Sequence, residues 1–149
     1  MKVVVQRVKE AEVKVDGKTV GAIGGGLLLL IGFAEEDTRE MIAPLVQKIV
    51  SMRIFDDENG KMNLSLIDVQ GDALLVSQFT LVGDTIKGNR PSFIRAKKPA
   101  VALEFFHASM EEMRKLCKGN VSAGIFGAHM EVSLTNDGPV TFVVEFPRP

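Results

Sequence analysis

Three stretches of the chain concentrate groups able to do chemistry. Ser77-Gln78-Phe79-Thr80 places two hydroxyls and an amide at the end of an apolar run. If that run is a strand, Ser77 and Phe79 share one side while Gln78 and Thr80 share the other. No His or Asp lies within local reach to take a proton from either hydroxyl, so the motif is weak for a nucleophilic triad. Asn136-Asp137-Gly138-Pro139-Val140-Thr141 reads as a turn joining two strands, since Gly-Pro commonly reverses a chain. A cis Gly138–Pro139 peptide would instead aim the Gly138 carbonyl in a fixed direction, a gate that needs no side chain. Lys87 to Lys98 holds Lys87, Arg90, Arg95, Lys97 and Lys98 together with Phe93, and no acidic residue. Clustered cations neutralise phosphates and a Phe stacks on a base; a solvated loop leading into a helix is the plainer reading.

The rest of the composition narrows the field. The chain has 149 residues, 25% of them charged and 46% hydrophobic, with a formal net charge of -1. That is ordinary for one globular domain spanning residues 1–149, and it makes a concentrated basic stretch more conspicuous. Cys117 is the lone cysteine, which excludes an intrachain disulfide framework and a multi-cysteine zinc site. His107 and His129 are too far apart in sequence to form a local ligand pair, and both read as structural residues, in a helix and in a strand. The acidic turn Asp56-Asp57-Glu58-Asn59-Gly60 lacks the alternating oxygen ligands of a calcium loop. No metal is expected. Arg7 interrupts the first apolar stretch before a signal-peptide core could form, and Leu27 to Ile31 is too short to span a bilayer, so a soluble cytoplasmic protein is expected.

Hydrophobic periodicity supplies the elements that must position these groups. Val3, Val5 and Val8, then Val13 and Val15, read as strand, and Asp16-Gly17 before Thr19 to Ile23 signals a hairpin. Leu27 to Phe33 suits a strand buried on both faces. Asp37 or Thr38 can cap a helix carrying Ile42, Leu45, Val46, Ile49 and Val50, its first turn loosened by Pro44. Ala73 to Val82 returns to strand, and Gly83 to Lys98 is a loop. Pro99 opens a second helix through Phe105, Phe106 and Met113, which Gly119-Asn120 stops. His129 to Leu134 and Thr141 to Phe146 are read as two further strands. The expected fold class is α/β of the α+β type: mostly antiparallel, barrel-like strands with two long helices.

Taken together, the motifs resemble the D-aminoacyl-tRNA deacylase family. Ser77-Gln78-Phe79-Thr80-Leu81 and Asn136-x-Gly138-Pro139-Val140-Thr141 are similar to its paired signature. The opening Val-Val-Gln-Arg-Val, Arg53-Ile54-Phe55 and Lys61-Met62-Asn63-Leu64 are similar too, and the resemblance runs end to end. It implies hydrolysis of the ester between a D-amino acid and the terminal adenosine of tRNA. It also implies a homodimer, without metal or nucleotide cofactor, whose active sites lie at the subunit interface. On that basis Ser77, Gln78, Phe79 and Thr80 belong to the catalytic pocket. Gly138 and Pro139, with Asn136, belong to chiral selection, inserted into the partner's site as a cis dipeptide. Lys87, Arg90, Arg95, Lys97 and Lys98 are expected to meet tRNA, and glycyl-tRNA to be hydrolysed alongside D-aminoacyl-tRNA. A Ser/Thr hydrolase of small esters and a non-catalytic tRNA-binding dimer are the readings from other classes.

Overall fold

Asp16 and Gly17 take φ values of 50° and 77°, the left-handed pair that a two-residue hairpin turn requires. They join β1 (Lys2–Val15) to β2 (Lys18–Ile23) in the computed structural model, which describes residues 1–148. β1 is the organising strand. It pairs antiparallel with β2, with β3 (Gly26–Gly32), and along its other edge with the last strand, β8 (Glu131–Glu145). β3 in turn pairs parallel with β6 (Asp72–Ser77), and β6 pairs parallel with β7 (Val121–Ala123).

Parallel neighbours need long crossovers. The first carries α1 (Ile42–Ser51), a hairpin of β4 (Phe55–Asp56) and β5 (Met62–Leu64), and the short α2 (Leu66–Val69). The second carries α3 (Pro99–Leu116). The two long helices and the α+β sheet match expectation. The sheet nearly closes on itself: Ser122 Oγ donates to the Ala22 carbonyl at 3.3 Å. A Cβ at Gly21 would lie 2.6 Å from the Ala123 carbonyl oxygen, so glycine permits this approach of β2 to β7.

Two cores result. Val3, Val5, Leu27, Leu29 and Leu75 pack with Leu45, Ile49 and Phe106 of the helices. Val8, Ala11, Val13, Leu28 and Leu74 fill the inside of the curved sheet. β1 serves both because Val8 and Glu10 face the consecutive residues Asn136 and Thr135, leaving Lys9 as an extra residue. A one-residue bulge exchanges the two faces of a strand. β3 and β6 are apolar on both sides, as read for Leu27 to Phe33. Each such buried Leu or Phe contributes roughly 1.5–3 kcal/mol of burial.

The loosened first turn of the first helix is present as a 3₁₀ turn, Arg39–Met41, ahead of α1. Pro44 is the third residue of α1, where a missing N–H costs no intrahelical bond. Asp37 is not the cap; its carboxylate accepts from the Met1 amino group at 2.7 Å and from Ala34 N–H at 2.6 Å. Three expectations are corrected. The strand through Ser77 does not continue to Val82, since Phe79–Val82 is a 3₁₀ turn. Phe79 and Thr80 therefore do not follow strand alternation. Asn136 to Thr141 is not a chain reversal but part of one continuous strand, β8, held by pairing to β1 on both sides of it. His129 precedes β8 rather than lying in it.

Candidate active site

Ser77 closes β6, paired with Ile31 of β3, and Gln78 donates its backbone N–H to the Ile31 carbonyl. Gln78 then takes φ -146° and ψ 80°, which turns the chain out of the sheet into the 3₁₀ turn. This departure opens a cleft of about 640 Å³. Ser77, Gln78 and Phe79 line one wall, Phe93, Lys97 and Lys98 another, and His129 lies on the loop opposite. Phe79 is largely exposed and packs edge-to-face on Phe93, ring centroids 5.1 Å apart. Such an open aromatic pair offers a flat apolar surface to a ligand ring.

Thr80 is exposed, and its hydroxyl oxygen accepts from the Gln78 side-chain amide. An amide donor cannot remove a proton, so this contact orients the hydroxyl without activating it. Phe79 and Thr80 open the 3₁₀ turn, and their backbone N–H groups have no acceptor within it. Two adjacent N–H groups with no backbone acceptor among the described residues suit an oxyanion.

The second motif lies elsewhere on the sheet. Gln6 faces Thr141 and Val8 faces Asn136, so Asp137 to Val140 bulge opposite the single residue Arg7. The Gly138–Pro139 peptide is cis. Gly138 has φ 129°, and a Cβ there would lie 3.1 Å from Val140 N and 3.3 Å from Arg7 Nη2. Only glycine fits. Arg7 fills the bulge from below: Nε donates to the Asp137 carbonyl at 3.0 Å, and Nη1 donates to the Ile54 carbonyl at 2.9 Å and to Asp56 Oδ1 at 3.2 Å. Its side chain is 7% exposed. Sequence reasoning gave Arg7 no site role, yet a signal was present: by alternation it continues the buried face of Val3 and Val5, the one packed under the helices.

Ser77 aligns through Ile31 with Val3, whereas the bulge aligns with Arg7, four residues along β1 and on its far edge. With about 3.3 Å per residue and 4.8 Å per strand, the two motifs are on the order of 20 Å apart across the sheet. Asn136, Gly138 and Pro139 do not line the cleft of their own chain. The basic stretch divides as well. Arg95 pairs with Glu36 at 2.9 Å, and Lys97 donates to the Glu35 carbonyl at 2.8 Å with its Nζ 5.0 Å from the Phe105 ring centre. Lys87, Arg90 and Lys98 are exposed and have no ion-pair partner among the described residues. Away from the cleft, burial pushes the Cys117 thiol up, and its sulfur bonds the Gly71 carbonyl at 3.2 Å. It is a packing group.

The family model described as D-Tyr-tRNA(Tyr) deacylase matches residues 4–145, both motifs included. The chain belongs to this family. A D-aminoacyl-tRNA deacylase of Thermosipho africanus (strain TCF52B) is 53% identical over 148 residues, covering 97% of each chain. Among solved structures, the c-Myc DNA unwinding element binding protein superposes with a TM-score of 0.93 at 42% identity, over 99% of this chain and 100% of that one. A probable eukaryotic D-amino acid tRNA deacylase superposes with a TM-score of 0.82 at 19% identity, over 96% of this chain and 98% of that one, a likeness of fold. Membership of the D-Tyr-tRNA(Tyr) deacylase family makes the chain a hydrolase. No helix among the described residues is long and apolar enough to cross a membrane.

Proposed function

We propose that the chain hydrolyses the ester of D-aminoacyl-tRNA, with water yielding the free D-amino acid and tRNA, and that two copies complete each site. The observation that carries this reading is the separation of the two motifs. The cleft holds hydroxyl, amide and backbone donors but no gate, and the Gly138 bulge stands on the order of 20 Å away on the same sheet. A second chain that brings its Gly138–Pro139 to this cleft supplies the missing wall.

The chemistry then follows from the groups present. Phe79 and Thr80 N–H groups stabilise the oxyanion, and Thr80 is a positioning residue beside Gln78. With no base bonded to Thr80, the attacking water is assisted by the 2′-hydroxyl of the terminal adenosine. The Gly138 carbonyl stands where the α-substituent of an L-amino acid would project. A D-amino acid presents hydrogen there, so selection is by exclusion. Lys87, Arg90 and Lys98 meet tRNA phosphates. No metal enters this reaction, and full activity after exhaustive chelation is expected.

The deciding experiment is single-turnover deacylation of D-alanyl- and L-alanyl-tRNA by the purified protein. Rapid loss of the D ester with survival of the L ester is the expected result. Binding of tRNA without cleavage of either ester would leave a tRNA-binding dimer. Cleavage of free amino-acid esters at the tRNA rate would leave a small-ester hydrolase.

A further inference from the structure

Arg53-Ile54-Phe55 and Lys61-Met62-Asn63-Leu64 belong neither to the cleft nor to the β8 bulge. They build the β4–β5 hairpin, which is heavily tied. Arg53 Nε donates to the Asn63 carbonyl at 3.0 Å and Arg53 Nη2 to Asn63 Oδ1. At the turn, Asp57 N–H donates to the Lys61 carbonyl at 2.8 Å, while Asp57 Oδ1 accepts from Asn59 N–H at 2.9 Å and Lys61 N–H at 3.0 Å. Ile54 is buried, and Phe55 packs against the helical core. This small element is therefore stiff and fastened to the body of the fold.

Its inner edge presents the Ile54 carbonyl and the Asp56 carboxylate to one nitrogen of Arg7, while another nitrogen of the same group holds the Asp137 carbonyl. A guanidinium is planar, with donors in a fixed fork, so anchoring one side sets the direction of the other. β1 supplies the reach of Arg7; the hairpin supplies its aim.

We propose that the β4–β5 hairpin is the counter-anchor that fixes where the Gly138 carbonyl stands, with Asp56 as a positioning residue acting through Arg7. The proposal rests on the reading of Gly138 as the chiral gate. It gives the two unassigned motifs a common purpose: Arg53 and Asn63 brace the hairpin, and Asp56 transmits its position. The charge on Asp56 matters as well as its shape, because a carboxylate bonded to a cation is held more strongly than a neutral acceptor.

The test compares Asp56→Ala and Asp56→Asn with the unsubstituted protein, using single-turnover rates on D-alanyl- and L-alanyl-tRNA, affinity for uncharged tRNA, and thermal melting. Asp56→Ala should lower the D/L rate ratio about tenfold, the scale of one charge-assisted hydrogen bond. Asp56→Asn, which keeps an acceptor oxygen, should recover part of that ratio. Affinity for uncharged tRNA should not change in either. A D/L ratio unchanged in both variants, with Arg7→Lys lowering it, overturns the role of Asp56 and leaves the gate in place. Equal losses on the two esters at constant ratio overturn it too. If Arg7→Lys also leaves the ratio unchanged, the reading of Gly138 itself fails.

Discussion

The Gln78 amide donates to the Thr80 hydroxyl oxygen across the start of the 3₁₀ turn. This single contact separates two ways of breaking an ester. A hydroxyl that accepts from an amide keeps its proton and can donate it to a ligand, but among the described residues no base is bonded to it to draw the proton away. Thr80→Ala should therefore cost about tenfold or less in single-turnover rate, the scale of one neutral orienting hydrogen bond. Deletion of an obligatory nucleophile costs about a million-fold. A tRNA ending in 2′-deoxyadenosine should be nearly inert with the unsubstituted protein. Normal turnover of that tRNA beside an inactive Thr80→Ala protein would show that the threonine attacks.

Exclusion at the α-carbon has no means of rejecting glycine, which carries hydrogen in both positions. Glycyl-tRNA should be cleaved at a rate comparable to D-alanyl-tRNA, while L-alanyl-tRNA survives. A methyl group is worth only about 1–3 kcal/mol to an attractive pocket. A hard clash with a fixed carbonyl in close-packed surroundings can exceed that. The check is parallel deacylation of the three esters on one tRNA. Resistance of glycyl-tRNA equal to that of L-alanyl-tRNA would mean that the cleft recognises the D side chain itself.

The five cations of the 87–98 stretch should not behave alike. Neutralising Lys87, Arg90 or Lys98 should weaken tRNA binding and reduce the salt slope by about 0.7 to 0.9 each. Arg95 is paired with Glu36 and Lys97 is held by the Glu35 carbonyl, so their substitution should move the slope less. Binding titrations at several salt concentrations report this directly. A uniform effect of all five would indicate that the two internal contacts break on binding.

Asp68 and Ser65 form a reciprocal cap at the start of α2, with bonds of 2.9 and 3.1 Å. The backbone N–H of Ser65 first, then its hydroxyl, holds the Asp68 carboxyl below its ordinary value of 3.8. A carboxyl more acidic when folded adds stability above the unfolded pKa and loses it as pH falls through the folded one. The melting-temperature gap between the unsubstituted protein and Asp68→Asn should be widest near neutral pH. It should narrow steadily below pH 3.8, as melts across that range would record. A gap independent of pH would assign the difference to bond geometry alone.

Local chemistry was legible in the chain. Positive φ at Asp16-Gly17, the helical spacing after Pro99 and the doubly apolar Leu27 to Phe33 each act within a few residues, so their patterns specify hairpin, helix and buried strand directly. Ser77 to Thr80 and Gly138-Pro139 stood out as short motifs, and their roles came from the family resemblance rather than from local chemistry. What the sequence could not decide depends on partners remote in the chain. Gly-Pro reads as a reversal until β1 pairs with both flanks of it, and the bond from Arg7 to Asp137 spans 130 residues. The extra residue at Lys9 switches one valine-rich strand between two cores, a shift of register that no local period reveals. Placing one motif at the end of β6 and the other on the far edge of β1 is likewise a matter of strand order. Pairing and register are set by which faces can be buried together, and that is decided only when the whole sheet assembles.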